Sequence, residues 1–345
     1  FNCWAFIVKP TMIRMSFPLL LLLRSSCLEA RPTSLAFSTW LNVASRNTIG
    51  GRRASSLLFA SLDDNQNKDV RCRTHVVDGI SCREVPIELP IVGIVTVLEA
   101  TAESQESLVD MALALDDDEP LTGEQKLSAG DPYGAVLWPA AWAVAKYLLT
   151  SLQDLRKEEF PSNKPLSGLS VLELGTGTGL VSIAAALGGA SVIATDYEPL
   201  ALRLTDYAAR TFHPQDPPLP IRTSLLDMCD ELDALPKVDI VVAADIMYEP
   251  KTGIAMAHRA VEALRQGCRV LVGDSPGRPG RPAFLKTLKE LGVGDDHAVF
   301  VETVGRTCSG PRHDLICGKG STSVSQEPRE LPVAIMELKP FMLRR

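Results

Sequence analysis

Metal-ligand patterns are the first thing the sequence lacks: its five histidines do not cluster, and its eight cysteines form no C-x-x-C pair. Structural zinc and a disulfide framework both lose their usual signature, and no metal site is expected. Cys229 and Cys268 read as small apolar residues near strands. Reduced thiols of this kind fit a stroma or matrix. Long apolar runs are missing too, since Phe17–Leu23 is far too short to span a bilayer. Positive charge is scarce beyond the N-terminal stretch. The first 60 residues hold seven of the 35 Lys/Arg and one of the 42 Asp/Glu, which leaves 28 against 41 and a net charge of −13. So acidic a body repels phosphate backbones, and neither nucleic acid nor a membrane is an expected partner.

What is present begins with a leader-like segment. The apolar run stands behind Arg14 and is followed by "RSSCLEA"; residues 31–62 then contain no acid, several Arg and many Ser and Thr. A signal-like run ahead of a transit-like stretch resembles the two-part presequences of plastid proteins in algae with complex plastids, with "SLAFST" (34–39) as a processing site. Plastid stroma is the favoured location on this pattern, and one long mitochondrial presequence, leading to the matrix, is the alternative. We expect residues 1–62 to be a presequence without a fold, 63–78 a linker, 79–129 a β-hairpin and helix extension, and 130–345 the main domain.

From residue 130 onward, apolar strand patterns alternate with helical ones. Strands are predicted at 170–174, 190–196, 221–227, 238–245, 268–274, 298–304 and 332–340, and helices at 135–152, 179–187, 199–211, 253–266 and 281–291. Five strands alternating with helices predict an α/β fold: a Rossmann-like, doubly wound, seven-stranded sheet, mostly parallel, with one antiparallel strand near the C-terminus.

"VLELGTGTGL" (171–180) sits where the first of these strands turns into a helix. A dinucleotide fingerprint is G-x-G-x-x-G. Here the spacing is Gly175-x-Gly177-x-Gly179, and Leu180 occupies the place of the last dinucleotide glycine. Glu173, two residues before the first glycine, disfavours a pyrophosphate and suits a ligand with ammonium and sulfonium groups. Asp196 ends the next strand, 21 residues after Gly175, where a carboxylate accepts from ribose hydroxyls. Asp227 ends the third strand and can accept from an adenine amino group. Each acid could instead cap a helix or face solvent; together with the glycine spacing they point to S-adenosylmethionine.

These residues resemble the class I (seven-β-strand) methyltransferases over about residues 130–340. "DPYGAVLWPAA" (131–141) and "ADIMYEP" (244–250, with Asp245 and Tyr248 as D-x-x-Y) are similar to segments of the seven-strand protein lysine methyltransferases, and "VGDSPGRPGRPAF" (272–284) resembles the G-D-P-G-R-P segment of the branch acting on the electron-transfer flavoprotein β-subunit. The resemblance implies a cofactor site of Trp138, Glu173, Gly175, Thr176, Gly177, Gly179, Asp196, Tyr197, Asp227, Met228 and Ala244. It implies Asp245 and Tyr248 as catalytic residues, with Asp245 orienting a substrate amine and Tyr248 walling its channel. It also implies a protein substrate carrying a lysine, and a monomeric enzyme. The sequence departs from the family at the inserted Ser275, at the repeated G-R-P and at Met228, where many relatives have Trp.

Blander roles stand beside these. Asp245 could cap the following helix with Tyr248 packed against it, Trp138 could be a core anchor, and Arg278 and Arg281 could lie on a solvated turn or dock an acidic substrate. Two other functions remain open at this level: methylation of a small molecule by the same fold, and an inactive S-adenosylmethionine-binding assembly factor. Amide and base methylation are disfavoured, because N-P-P-Y is absent after the fourth strand.

Overall fold

The computed structural model describes residues 73–116, 132–151, 164–230, 232–294, 298–306 and 330–340. The leader reading of residues 1–62 and most of the expected linker lie outside them. The main sheet is built from β4 (Ser170–Leu174), β5 (Ser191–Asp196), β6 (Ile221–Leu225), β7 (Ile240–Ala244), β8 (Arg269–Asp274), β9 (Ala298–Arg306) and β10 (Glu330–Leu338). Its order is β6-β5-β4-β7-β8-β10-β9. β10 runs antiparallel to both β8 and β9, and the β4, β5, β6, β7 and β8 pairs are parallel. The expected single antiparallel strand is therefore there, inserted between its two neighbours.

Both faces of the sheet's centre are covered, so β4, β7 and β8 are buried almost continuously rather than in alternation. On β4, Val171 joins a cluster with Leu148, Leu149, Ile183 and Val192, while Leu172 and Leu174 join Val241, Met256, Phe284 and Met336 on the other side. The first face carries α2 (Pro139–Ser151) and α3 (Leu180–Leu187); the second carries α5 (Pro250–Arg265) and α6 (Gly280–Glu290). α4 (Pro199–Phe212) connects β5 to β6. Sequence order reverses at β4, with β5 on one side and β7 on the other. The carboxyl ends of strands flanking such a point form the crevice where open α/β sheets bind ligands.

A second, antiparallel sheet of β1 (Thr74–Val77), β2 (Ile80–Leu89) and β3 (Gly93–Ala100) precedes the main one, followed by α1 (Ala102–Asp116). β2 and β3 form the expected hairpin. β1 is a correction, because it falls inside the segment read as linker (63–78). Its signal was the Asp78-Gly79 dipeptide, which turns β1 into β2 with Val77 opposite Ile80. Both turn residues have positive φ (51° and 81°), as a two-residue hairpin turn matched to strand twist requires. The small sheet packs through Val77, Cys82, Leu98 and Ala100 against Leu200 and Leu204 of α4. His213 is half-buried and bonds the Thr96 backbone through Nε2, and burial lowers its pKa. It is a structural histidine.

Candidate cofactor and methyl-acceptor site

β4 ends in the glycine loop, whose three glycines all have positive φ (71°, 51° and 82°). Gly179 is the position where this matters most: it caps α3, and an added Cβ would lie 2.5 Å from the Thr205 hydroxyl. The loop is tied to β5 by two bonds. Thr176 N–H donates to Thr195 O at 2.9 Å, and Gly177 N–H donates to Asp196 Oδ2 at 3.0 Å. Asp196 Oδ1 also accepts from Glu198 N–H at 3.0 Å. The loop and the strand-end acid are thus one assembly at the crevice.

Glu173 takes a different place from a ligand-facing one. The strand's two-residue period turns it toward α3, and it is 2% exposed. Its Oε2 accepts the Thr176 hydroxyl at 2.8 Å and, in a very short bond, the Ser182 hydroxyl. Thr195 Oγ1 donates to its backbone carbonyl at 2.6 Å. Burial pushes its pKa up to about 7 against the pull of the hydroxyl donors. Glu173 therefore shapes the loop from beneath, through the hydroxyls of Thr176 and Ser182.

Across the switch point, β7 runs into the loop directly. A Cβ on Gly175 would stand 2.6 Å from Ile246 Cγ2, and half-buried Ala244 forms the last rung of β7 beside Gly273. Asp245 follows with φ at 57°, a left-handed conformation that Asp tolerates better than most residues. It is 5% exposed, and its carboxylate is fully engaged. Oδ2 accepts from Ala140 N–H at 2.9 Å and the Ser275 hydroxyl at 2.8 Å. Oδ1 accepts from Ser275 N–H at 2.8 Å and Arg278 Nε at 3.0 Å. Asp245 caps a helix, but it is α2 rather than the following α5, whose start uses Glu249 and Thr252 instead.

Arg278 closes the arrangement by lying over the Trp138 ring, 4.7 Å from its centroid. Trp138 Nε1 donates to Tyr133 O at 3.0 Å, and Leu137 N–H donates to Glu99 Oε1 at 3.2 Å. Glu99 is itself held by Arg83, its cross-strand partner. The small N-terminal sheet thus helps set the Trp138 segment. Arg278 is neither a solvated turn residue nor a free docking group. Arg281 pairs with buried Asp274 (3.3 Å), whose Oδ1 has no partner among the described residues. Burial, and then the charge of Asp245, push the Asp274 pKa up to about 7. Half-buried Tyr248 follows on the next loop, and Tyr197 is 43% exposed beyond Asp196. Exposed Asp227 and half-buried Met228 sit past β6, with Asp227 Oδ1 accepting from Cys229 N–H at 2.8 Å.

The glycine loop, the strand-end acids and the Trp138–Arg278–Asp245 lock all fall within or beside the region matched by a family model described as lysine methyltransferase, residues 116–290. The chain belongs to the lysine methyltransferase family. The electron transfer flavoprotein beta subunit lysine methyltransferase of Mus musculus is 31% identical over 157 residues, 45% of this chain and 53% of that relative. The protein N-lysine methyltransferase METTL21A of Danio rerio is 35% identical over 140 residues, 40% of this chain and 58% of its own length. The chain thus spans about half the length of the relatives it matches. Among solved structures, magnesium protoporphyrin IX methyltransferase from Synechocystis PCC 6803 with bound S-adenosylmethionine covers 67% of this chain and 91% of its own at 17% identity, with a TM-score of 0.38. That likeness is too weak to carry an inference. β1, β2 and β3 precede the family-matched region.

The donor set of this member of the family fits S-adenosylmethionine as a cofactor. The crevice is bordered by the carboxylates of Asp196 and Asp227, and the nearby Arg278 is paired with Asp245. Asp196 suits a ribose and Asp227 an adenine amino group, and the glycine spacing, with Leu180 in the place of the last dinucleotide glycine, departs from a pyrophosphate-binding loop.

Sequence reasoning passed over Ser182, Thr195, Ser275, Asp274 and Arg259. Ser275 carried a signal, since it is the inserted residue and supplies two of the four bonds to Asp245. The others sit at ordinary strand and helix positions, and only the folded chain joins them to the site.

Proposed function

We propose that this protein transfers methyl groups from S-adenosylmethionine to a lysine side chain of a protein in an organelle. The observation that supports it most is the junction of the Asp196-held glycine loop with the Asp245–Arg278–Trp138 lock at one sheet edge. When bound, the cofactor supplies an electrophilic methyl group on a positively charged sulfur. The chain's contribution is to align the acceptor amine with that methyl, and alignment of this kind contributes several kcal/mol, within a range of ~7–11 for well-oriented reactions.

The lysine must arrive neutral. With a reference pKa of about 10.4, holding it so near pH 8 costs roughly 3 kcal/mol. A partly desolvated channel lowers the amine pKa and reduces that cost. Tyr248 is our candidate wall of this channel, offering ring face or hydroxyl to the amine. Asp245, with its carboxylate already committed to four donors, acts on this reading as the residue that positions α2, Trp138 and Arg278 around the acceptor.

The organelle is proposed from the leader pattern. The two-part character favours the plastid stroma, and relatives named for an electron transfer flavoprotein subunit favour the mitochondrial matrix. Import of a fluorescent protein fused behind residues 1–62 distinguishes the two. The activity is tested by incubating the full chain with tritiated S-adenosylmethionine and organelle extract, then separating protein from small molecules. Label in a protein band supports the proposal. Label only in small molecules moves the reading to a metabolite methyltransferase, and cofactor binding without any transfer to an assembly factor.

A further inference from the structure

Arg259 is a large, fully buried side chain, 2% exposed in the middle of α5. A buried guanidinium is costly unless its donors are used and its charge is met. Here Nε donates to Met228 O at 3.0 Å, Nη1 to Asp233 O at 2.7 Å and to Glu262 Oε2 at 2.8 Å, and Nη2 to Asp230 O in a very short bond. Glu262 Oε1 accepts from Leu235 N–H at 2.6 Å, and Gln266 Nε2 donates to Leu235 O at 3.3 Å. Arg259, Glu262 and Gln266 stand at i, i+3 and i+7, so one stripe of α5 grips the backbone that follows β6. Among its described residues that backbone forms no strand or helix, and their polar groups need these side chains in place of a ladder.

The grip starts at Met228, immediately after Asp227. We propose that Arg259 is a positioning residue that sets the base selectivity of the cofactor site, by fixing the Asp227-Met228 segment at the edge where adenine would lie. This rests on the S-adenosylmethionine reading above. Held in place, the Asp227 carboxylate accepts from the adenine amino group and repels the carbonyl that hypoxanthine carries there. A slack segment follows either base and loses the distinction. Nothing in the amino-acid pattern points to this, because an arginine inside a helix ordinarily reads as a solvated face.

The test compares binding of S-adenosylhomocysteine and its inosine counterpart, S-inosylhomocysteine, to the full chain and to Arg259→Lys. Lysine keeps the charge but cannot reproduce the planar fork. The expected result is a fall of about tenfold in the preference for the adenine compound, the size of one lost hydrogen bond. If thermal melting shows that Arg259→Lys does not fold, Glu262→Gln takes its place, with a fall of about threefold expected. An unchanged preference in the folded variant, including equal weakening of both compounds, overturns the role given to Arg259 and leaves the cofactor reading standing. Failure of the unmodified protein to bind either compound overturns both.

Discussion

Replacing Glu173 by Gln tests the loop geometry through its dependence on pH. Folding raises the Glu173 pKa from 4.5 to about 7, because burial outweighs the hydroxyl donors of Ser182 and Thr176. The folded protein therefore binds the proton more tightly than the unfolded chain, and stability falls as pH rises from about 4.5 to about 7. Above that window the full penalty is present, about 3 kcal/mol at ~1.36 kcal/mol per unit. Glutamine has nothing to ionise, and its carbonyl oxygen still accepts from the two hydroxyls. Urea unfolding of both proteins at about pH 5.5 and about pH 8 isolates the effect, since the other titrating groups cancel in the difference. Glu173→Gln should gain about 2 kcal/mol relative to the parent between those pH values. A difference that does not change with pH would mean that the hydroxyl donors fully offset burial or that Glu173 is solvated, and would refute the reasoning that burial dominates at this site.

Three further outcomes follow from the site. Asp245→Ala strands the Arg278 guanidinium, uncaps α2 and places Ala at a positive φ, so it should lower stability by about 3–5 kcal/mol in urea, with Asp245→Asn losing less. Asp196→Ala frees the Gly177 amide, and calorimetric titration with S-adenosylhomocysteine should show affinity reduced roughly tenfold to a hundredfold. Gly280→Ala would put a Cβ 2.4 Å from Glu249 O and 2.7 Å from Met247 O, both backbone atoms. A stability loss of about 1–3 kcal/mol is expected, and a loss below about 0.5 would show that the second G-R-P does not pack on the Asp245–Tyr248 loop.

The main sheet was legible because its central strands, β4, β7 and β8, are short and largely apolar runs bounded by turn residues, and the helices between them carry their own period. The one antiparallel strand could be anticipated from two successive strand patterns, but not its insertion between β8 and β9. β1 was missed although Asp78-Gly79 announces a hairpin, because four residues are too few to display alternation. At the site, residue types were readable and directions were not. Glu173 and Asp245 are both acids beside a ligand crevice, yet strand period and a left-handed backbone turn them onto Ser182, Thr176, Ala140 and Ser275. Ala140 and Ser275 lie far from Asp245 in sequence and have no spacing signal, and the nearby Thr176 and Ser182 do not reveal which way Glu173 points. Arg259 was silent because, apart from Glu262, its partners are backbone carbonyls that any residue carries.

The most direct test of the account is peptide mass spectrometry of organelle proteins after reaction with the full chain and S-adenosylmethionine. Methyl groups on a lysine ε-nitrogen of a discrete protein, absent when Asp196→Ala is used, are the predicted result. Methylation confined to small molecules, or to another type of side chain, would contradict the proposal that this site aligns a protein lysine.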